Sequence, residues 1–407
     1  MNIKIVINKL GPIVDSTIEV KPFMVFTGES GLGKSYSALL VYNLVTSLTL
    51  TRLQDFIDLK LREGKKNICF KFKDYRVWLN QNTSSFMGYL LGNNDFFCDV
   101  NYIFDIDDDS SIELNVLDTE EAKISRCSIN GQIETYPFDL PDSLLMGLTL
   151  SGFLARMCLG ASYLKSLILP PARAAFMGAN TTSPIGMYRD FLRQLDDLKT
   201  PSQTANPDMQ FFLSYITKLA DGNIVLENGS VFLQFDSGEK IPISAAASSV
   251  KELMPFLLML QNCKSLYNSL LFEEPEAHVH PLKQFLVMDM LARCCNKKMM
   301  IQMTTHSDYL LGRMNQLILL GKIRKVSMPA FEKFCADYHH NKNLYLDGEQ
   351  VGAYYFERVE NRVVIKLQDT ECGLPFTTFE KAVKGQIALS SELEDLAESL
   401  GITINCN

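Results

Sequence analysis

Apolar and polar positions alternate through the first 33 residues in NIKIVINKL, TIEVK and PFMVFTGES, with a turn at GPIVDS, and this two-residue period predicts three strands. Behind Lys34 the period lengthens. SYSALLVYNLVTSLTLTRLQDFIDLKLREG has apolar residues at helical spacing and predicts one helix closed by Gly64. A strand that feeds a helix through a glycine-rich turn opens an α/β nucleotide fold. From about 65 to 240 the character changes. KNICFKFKDYRVWL and CDVNYIFDIDDDSSIELNVL predict β structure, and residues 141–220 predict mostly helix. Asn228-Gly229 between the apolar runs of NIVLENGSVFLQF predicts a hairpin. After 240 the expected order is a helix near 248–262, strand 269–273, helix 279–294, strand 298–303 and helix 308–318. The remaining tail holds VGAYYFERV and RVVIKLQ as β pieces and SSELEDLAESL as an acidic helix. The expected organisation is one lobe in two parts, 1–64 and 241–330, split by a mixed β and helical insertion at 65–240 and followed by an α/β extension at 331–407.

Composition narrows the class. With 407 residues, 47% of them apolar and 21% charged, the chain has room for a substantial core. A net charge of −8 and a pI near 5.3 exclude a global basic field for nucleic acid, though not a local basic groove. The N-terminus lacks the small-residue cleavage pattern of a secretory signal. Arg156 and Lys165 interrupt the apolar stretch 143–171, which predicts buried helices and no membrane partner. Ten cysteines without a CxxC pair, Cys294 and Cys295 being adjacent, predict reduced thiols in a cytoplasmic protein and no zinc site. The run DIDDDSS (105–111) reads as a solvated acidic loop.

Two stretches carry chemistry. GESGLGKS, Gly28 to Ser35, fits G-x-x-x-x-G-K-[ST] where a strand gives way to a helix. Gly28, Glu29, Ser30, Gly31 and Gly33 set the loop whose backbone N–H groups converge on phosphate, Lys34 reaches the β and γ phosphates, and Ser35 offers a hydroxyl to Mg²⁺. SLLFEEPEAHVHP (269–281) ends an apolar strand in three acids and two histidines. It is either a self-contained metal site or half of a site completed elsewhere. Alternate residues such as His278 and His280 point apart on the helix expected there, which disfavours the first reading. As half a site, Glu273 holds the metal and Glu274 polarises the attacking water. His306, in TTHSDYLL just past the strand MMIQM, is placed to contact the γ-phosphate and link it to Glu274.

The ordered set GESGLGKS, SAAASSVKEL, LLFEEPEAHVHP and TTHSDYLL, with the opening strands, resembles the ABC-class ATPases of the SMC, RecF and OLD type. The likeness covers residues 1–40 and 241–320 well and the middle only loosely. It implies an ABC-type P-loop ATPase head that uses ATP and Mg²⁺ and dimerises, or forms a higher homo-oligomer, around nucleotide. The serine-led signature segment of one copy then covers the γ-phosphate held by the other, and Glu276 to His280 form a loop toward the other subunit. Ser248 and Ser249 match that segment, with Val250 where glycine is usual and Lys251 where glutamine is common, and Glu273 stands where the broader class has aspartate. PPARAAFMGA resembles an arginine-bearing segment of OLD-like and Septu-type ATPases. For Arg173 the alternatives are contact with phosphate, nucleic acid or a neighbouring subunit, or a structural salt bridge. OLD-type proteins carry a C-terminal TOPRIM nuclease that needs a D-x-D pair, and no such pair follows His306. Two functions emerge. One is a sensor ATPase controlling a separate nuclease or toxin in antiphage defence; the other is a RecF- or SMC-like ATPase acting on DNA.

Overall fold

The computed structural model describes residues 3–60, 67–118, 123–137, 140–161, 165–177, 182–200, 209–262, 267–371 and 373–400. The chain opens with strands β1 (Lys4–Leu10), β2 (Ile13–Glu19) and β3 (Phe23–Gly28), then helices α1 (Lys34–Ser47) and α2 (Leu50–Lys60). β4 (Asn67–Lys71), α3 (Phe72–Leu91) and β5 (Cys98–Ile103) precede a meander of β6 (Ser111–Asp118), β7 (Lys123–Ile129) and β8 (Gln132–Pro137). Next come α4 (Asp142–Leu159), β9 (Ser166–Leu169), α5 (Gly186–Leu198) and α6 (Met209–Ala220). A small sheet of β10 (Asn223–Glu227), β11 (Ser230–Gln234) and β12 (Lys240–Pro242) leads to α7 (Ser248–Asn262). The second half alternates as β13 (Ser269–Glu273), α8 (Pro281–Asn296), β14 (Met300–Thr304), α9 (Asp308–Val326) and α10 (Met328–Asp337). β15 (Val351–Val359), β16 (Arg362–Gln368) and α11 (Thr377–Ser399) close it.

Nine strands form one mixed sheet flanked by helices, in the order β5-β1-β2-β16-β15-β3-β14-β13-β9. From β15 to β9 every neighbour is parallel. β3, β9, β13 and β14 are buried at every position, as parallel strands covered on both faces must be. Helix α1 packs across β3, β14, β13 and β9 and is itself buried almost all round. The segment 65–240 contributes β5 and β9 to this sheet, and the tail contributes β15 and β16, so the sheet crosses the boundaries drawn from composition.

Several elements differ from expectation. The single helix after Lys34 is two, because the chain turns at Leu48 and Thr49; Gly64 lies outside the described residues. KDYRVWL is helix, not strand: Phe72, Tyr75, Trp78 and Leu79 recur at the helical period and are all buried, and the Asp74 carboxylate caps the Lys71 N–H at 3.3 Å. The two β segments of 98–118 belong to different sheets. Between them Asp108 accepts from Arg76 Nε at 2.8 Å. β9 is a buried strand inside the stretch expected to be mostly helical, and a four-residue apolar run has too little length to show its period. Helix α8 starts at Pro281, not 279, so His278 and His280 lie on a turn and at the helix cap, both exposed. The hairpin at 223–234 forms as expected, with Asn228 and Gly229 at φ of 49° and 75°. Helix α4 has the length and composition of a membrane span, with a mean hydropathy of 1.3, but 61% of that window is buried against the protein.

Candidate nucleotide site

The parallel register brings three strand ends together. Phe26 of β3 pairs with Thr304 of β14, and Thr304 with Glu273 of β13. In open α/β sheets ligands bind beyond the carboxyl ends of such strands. Here Pro12, Ser30, Gly31, Gly33, Lys34, Ser35, Tyr36, Glu274, Thr304 and His306 line one cleft of about 340 Å³. Residues separated by some 240 positions therefore meet only because β14 separates and aligns β3 and β13.

The loop after β3 needs its glycines where the backbone is tightest. Gly28 has φ of 131°, and a Cβ there would lie 2.6 Å from the Phe356 carbonyl oxygen of β15. Gly33 caps α1 in the left-handed region at φ 89°, where a Cβ would meet Ile13 at 2.9 Å. The N-terminal N–H groups of α1 are thus aimed into the cleft, which favours an anion. Lys34 folds over the loop and donates to the Gly28 carbonyl at 3.0 Å and the Glu29 carbonyl at 2.8 Å. Burial lowers its ammonium to about 8, against the pull of Glu274, Glu276 and Glu273.

Glu273 is 2% exposed at the end of β13. Its Oε2 accepts from the Ser35 hydroxyl, while Oε1, also buried, has no hydrogen-bond partner among the described residues. Burial, helped by the neighbouring Glu274, pushes this carboxyl up to about 7, although the Ser35 and Thr304 hydroxyls and Arg173 pull the other way. An orphaned buried carboxylate oxygen beside a hydroxyl is a hard-oxygen donor set that fits Mg²⁺. Glu274 sits in the left-handed region at φ 45°, costly for a glutamate. Its N–H is held by the Thr304 carbonyl at 3.1 Å and the Thr304 hydroxyl at 3.2 Å, and the strained backbone puts the side chain in the cleft. His306 faces the same cleft; burial and the Lys34 charge lower its imidazole below the ordinary value, with Glu274 opposing.

Glu276 has a different place from the intersubunit loop expected for it. Its Oε1 accepts from the Thr305 hydroxyl at 2.8 Å and from the His306 N–H at 2.7 Å. The Thr305 N–H in turn donates to the Phe26 carbonyl at 3.1 Å. Glu276 therefore ties the acidic loop to the histidine loop and to the phosphate-loop strand; burial raises its carboxyl above the ordinary value. The third acid of EEPE was visible in the sequence, but its inward direction was not. Ser248 and Ser249 head α7 and are not among the residues lining the cleft of their own chain.

For Arg173 the structure favours the salt-bridge alternative: it is 0% exposed, and among the described residues its donors reach five backbone carbonyls and the Glu252 carboxylate. Its partner Glu252, in α7, is 2% exposed; it lies within SAAASSVKEL, but that pattern assigned it no role.

Residues 181–311, about a third of the chain, match the family model described as an AAA ATPase domain. No curated protein matches. Among solved structures, the head bound to the C-winged helix domain of ScpA, described as SmcHead, is 13% identical over 91% of this chain and 97% of its own, with a TM-score of 0.41. The SMC head domain from Thermotoga maritima is 12% identical over 90% of this chain and 99% of its own, with a TM-score of 0.36. An Smc head with an extended coiled coil, bound to the C-terminal domain of ScpA derived from Pyrococcus furiosus, is 13% identical over 95% and 98%, with a TM-score of 0.39.

Proposed function

We propose that the chain is an ATP-binding and ATP-hydrolysing subunit that dimerises around nucleotide and controls a separate effector, a nuclease or toxin, in bacterial antiphage defence in the cytoplasm. One observation carries the ATPase part: Lys34, Ser35, Glu274 and His306 line a single cleft beside Glu273, at the ends of three aligned parallel strands. The AAA ATPase match over residues 181–311 supports it. The defence role rests on the resemblance of the motif order to OLD-like and Septu-type ATPases and on the missing D-x-D pair after His306.

In this reading the loop N–H groups and Lys34 hold the triphosphate, Lys34 exchanging its two loop carbonyls for phosphate oxygens. Mg²⁺, when bound by Ser35 and Glu273, supplies positive charge against the phosphate oxygens. Glu274 accepts a hydrogen bond from the attacking water and turns it toward the γ-phosphorus. His306 senses the γ-phosphate and passes its loss to the acidic loop through Glu276. Ser248 and Ser249 of a second copy cover the γ-phosphate from the open side.

Glu274→Gln tests the assignment: it should bind ATP like the parent, lose turnover, and accumulate as a dimer in size-exclusion chromatography with ATP. Equal hydrolysis by variant and parent refutes the role of Glu274. Co-purification with the products of neighbouring genes tests the effector; a chain that binds none of them, with or without ATP, ends that part of the proposal. The alternative, an ATPase acting on DNA directly, has the −8 net charge against it, and salt-dependent, ATP-dependent binding to duplex ends would revive it.

A further inference from the structure

Arg173 sits where no solvent reaches it, yet it touches two parts of the machinery at once. It follows the edge strand β9, and the residue before it, Ala172, is held in the left-handed region at φ 57°. From there the guanidinium grips the end of β13 by its backbone. Nη1 donates to the Glu273 carbonyl at 2.6 Å and to the Pro170 carbonyl at 2.6 Å, and Nη2 to the Glu274 carbonyl at 3.3 Å. The plane also lies 4.7 Å from the Phe272 ring centroid. On its other side Nε donates to the Glu252 carbonyl at 3.0 Å and lies 3.4 Å from Glu252 Oε2. The second Glu252 oxygen accepts from the Ala174 N–H at 3.1 Å.

Glu252 is on α7, one turn past Ser248 and Ser249. Pro255 in the same helix has no N–H for the Lys251 carbonyl, so the turn that carries Glu252 is weakened from within and the arginine braces it from outside. A fork of fixed donors suits this task, because one rigid plane addresses the four carbonyls of Pro170, Glu252, Glu273 and Glu274 and the Glu252 carboxylate together. A lysine does not reproduce that geometry.

We infer that Arg173 is a positioning residue that makes the end of β13 and helix α7 a single rigid unit. The backbone that aims Glu274 at one nucleotide is thereby tied to the serine-led face of α7, which rests, under the function proposed above, on the nucleotide of a second copy. Each subunit then couples its own hydrolytic site to the other. Neither Arg173 nor Glu252 contacts substrate; both act through the groups they hold.

Glu252→Gln and Arg173→Lys test the coupling in the full chain. Glu252→Gln keeps an acceptor for Ala174 and removes the charge; Arg173→Lys keeps the charge and removes the fork. Binding of a fluorescent ATP analogue at protein concentrations where the chain is monomeric should stay within about threefold of the parent, while turnover falls roughly ten- to a hundredfold and loses its sigmoidal dependence on ATP. Circular dichroism and the thermal midpoint check folding, and if one variant fails to fold the other decides. A parent that dimerises with ATP and is matched in turnover and sigmoidicity by a folded variant overturns the coupling alone. Analogue affinity that falls in step with turnover makes the pair merely structural and overturns it as well. A parent that binds ATP but stays monomeric overturns the functional reading, and the coupling with it.

Discussion

Replacing Glu273 by glutamine should stabilise the nucleotide-free protein at alkaline pH and abolish its stabilisation by Mg²⁺-ATP. Glu273 is buried, one of its oxygens is orphaned, and its carboxyl is raised from the ordinary 4.5 to about 7. A raised carboxyl binds its proton more tightly in the folded than in the unfolded chain, so folding is favoured most below 4.5 and loses stability as pH rises toward 7. At about 1.4 kcal/mol for each tenfold change in proton affinity, the loss reaches a ceiling of about 3 kcal/mol by pH 8. Glutamine has no charge to desolvate and keeps an oxygen for the Ser35 hydroxyl, but it retains some burial cost for its amide, so a net gain of about 1–2 kcal/mol is expected. The assay is urea unfolding of parent and variant with EDTA at pH 5 and pH 8, repeated with Mg²⁺-ATP. The variant should lead at pH 8, the lead should shrink at pH 5, and only the parent should gain from Mg²⁺-ATP. A variant less stable than the parent at pH 8 without metal, or a difference that ignores pH, refutes the account of Glu273.

Other expectations concern the neighbouring residues. Glu276→Ala removes the acceptor of the Thr305 hydroxyl and the His306 N–H, and should cost about 2 kcal/mol of stability in urea titration. Glu276→Gln, which keeps an acceptor, should cost less than half of that; equal losses would show that those two bonds are not what Glu276 contributes. Lys34→Ala should lose ATP binding in isothermal titration with the thermal midpoint of the nucleotide-free protein little changed, because among the described residues its ammonium bonds to the loop carbonyls of Gly28 and Glu29 alone. Ser248→Arg, at an exposed helix start outside the chain's own cleft, should leave monomer nucleotide affinity intact and block the ATP-dependent dimer. Loss of nucleotide binding by that variant would place Ser248 in the wrong half of the site.

Much of the chemistry was legible because it lies in short contiguous patterns. GESGLGKS states its strand, loop and helix locally, since left-handed glycines and a helix start are properties of a few adjacent residues. The strand Ser269–Glu273 was read to the residue and the helix Ser248–Asn262 closely, because each is an apolar run with polar ends. KDYRVWL misled because aromatic residues suit strands and the helical spacing of Phe72, Tyr75 and Trp78 emerges only over several turns. SLIL at β9 is too short to declare a period at all.

Local pattern by itself determined that this chain has a phosphate loop, an acidic strand end and a following histidine, in that order along an α/β chain. Only the tertiary structure decided that β14 stands between β3 and β13, which lets residues far apart in the chain share one cleft. It also decided that Glu276 turns inward to hold the histidine loop, and that Arg173 is buried with Glu252 rather than open to phosphate. The physical reason is the same in each case. Which strands are neighbours, and which way a charged side chain turns, depend on non-local burial and hydrogen bonding, and those are properties of the assembled sheet rather than of any window of sequence.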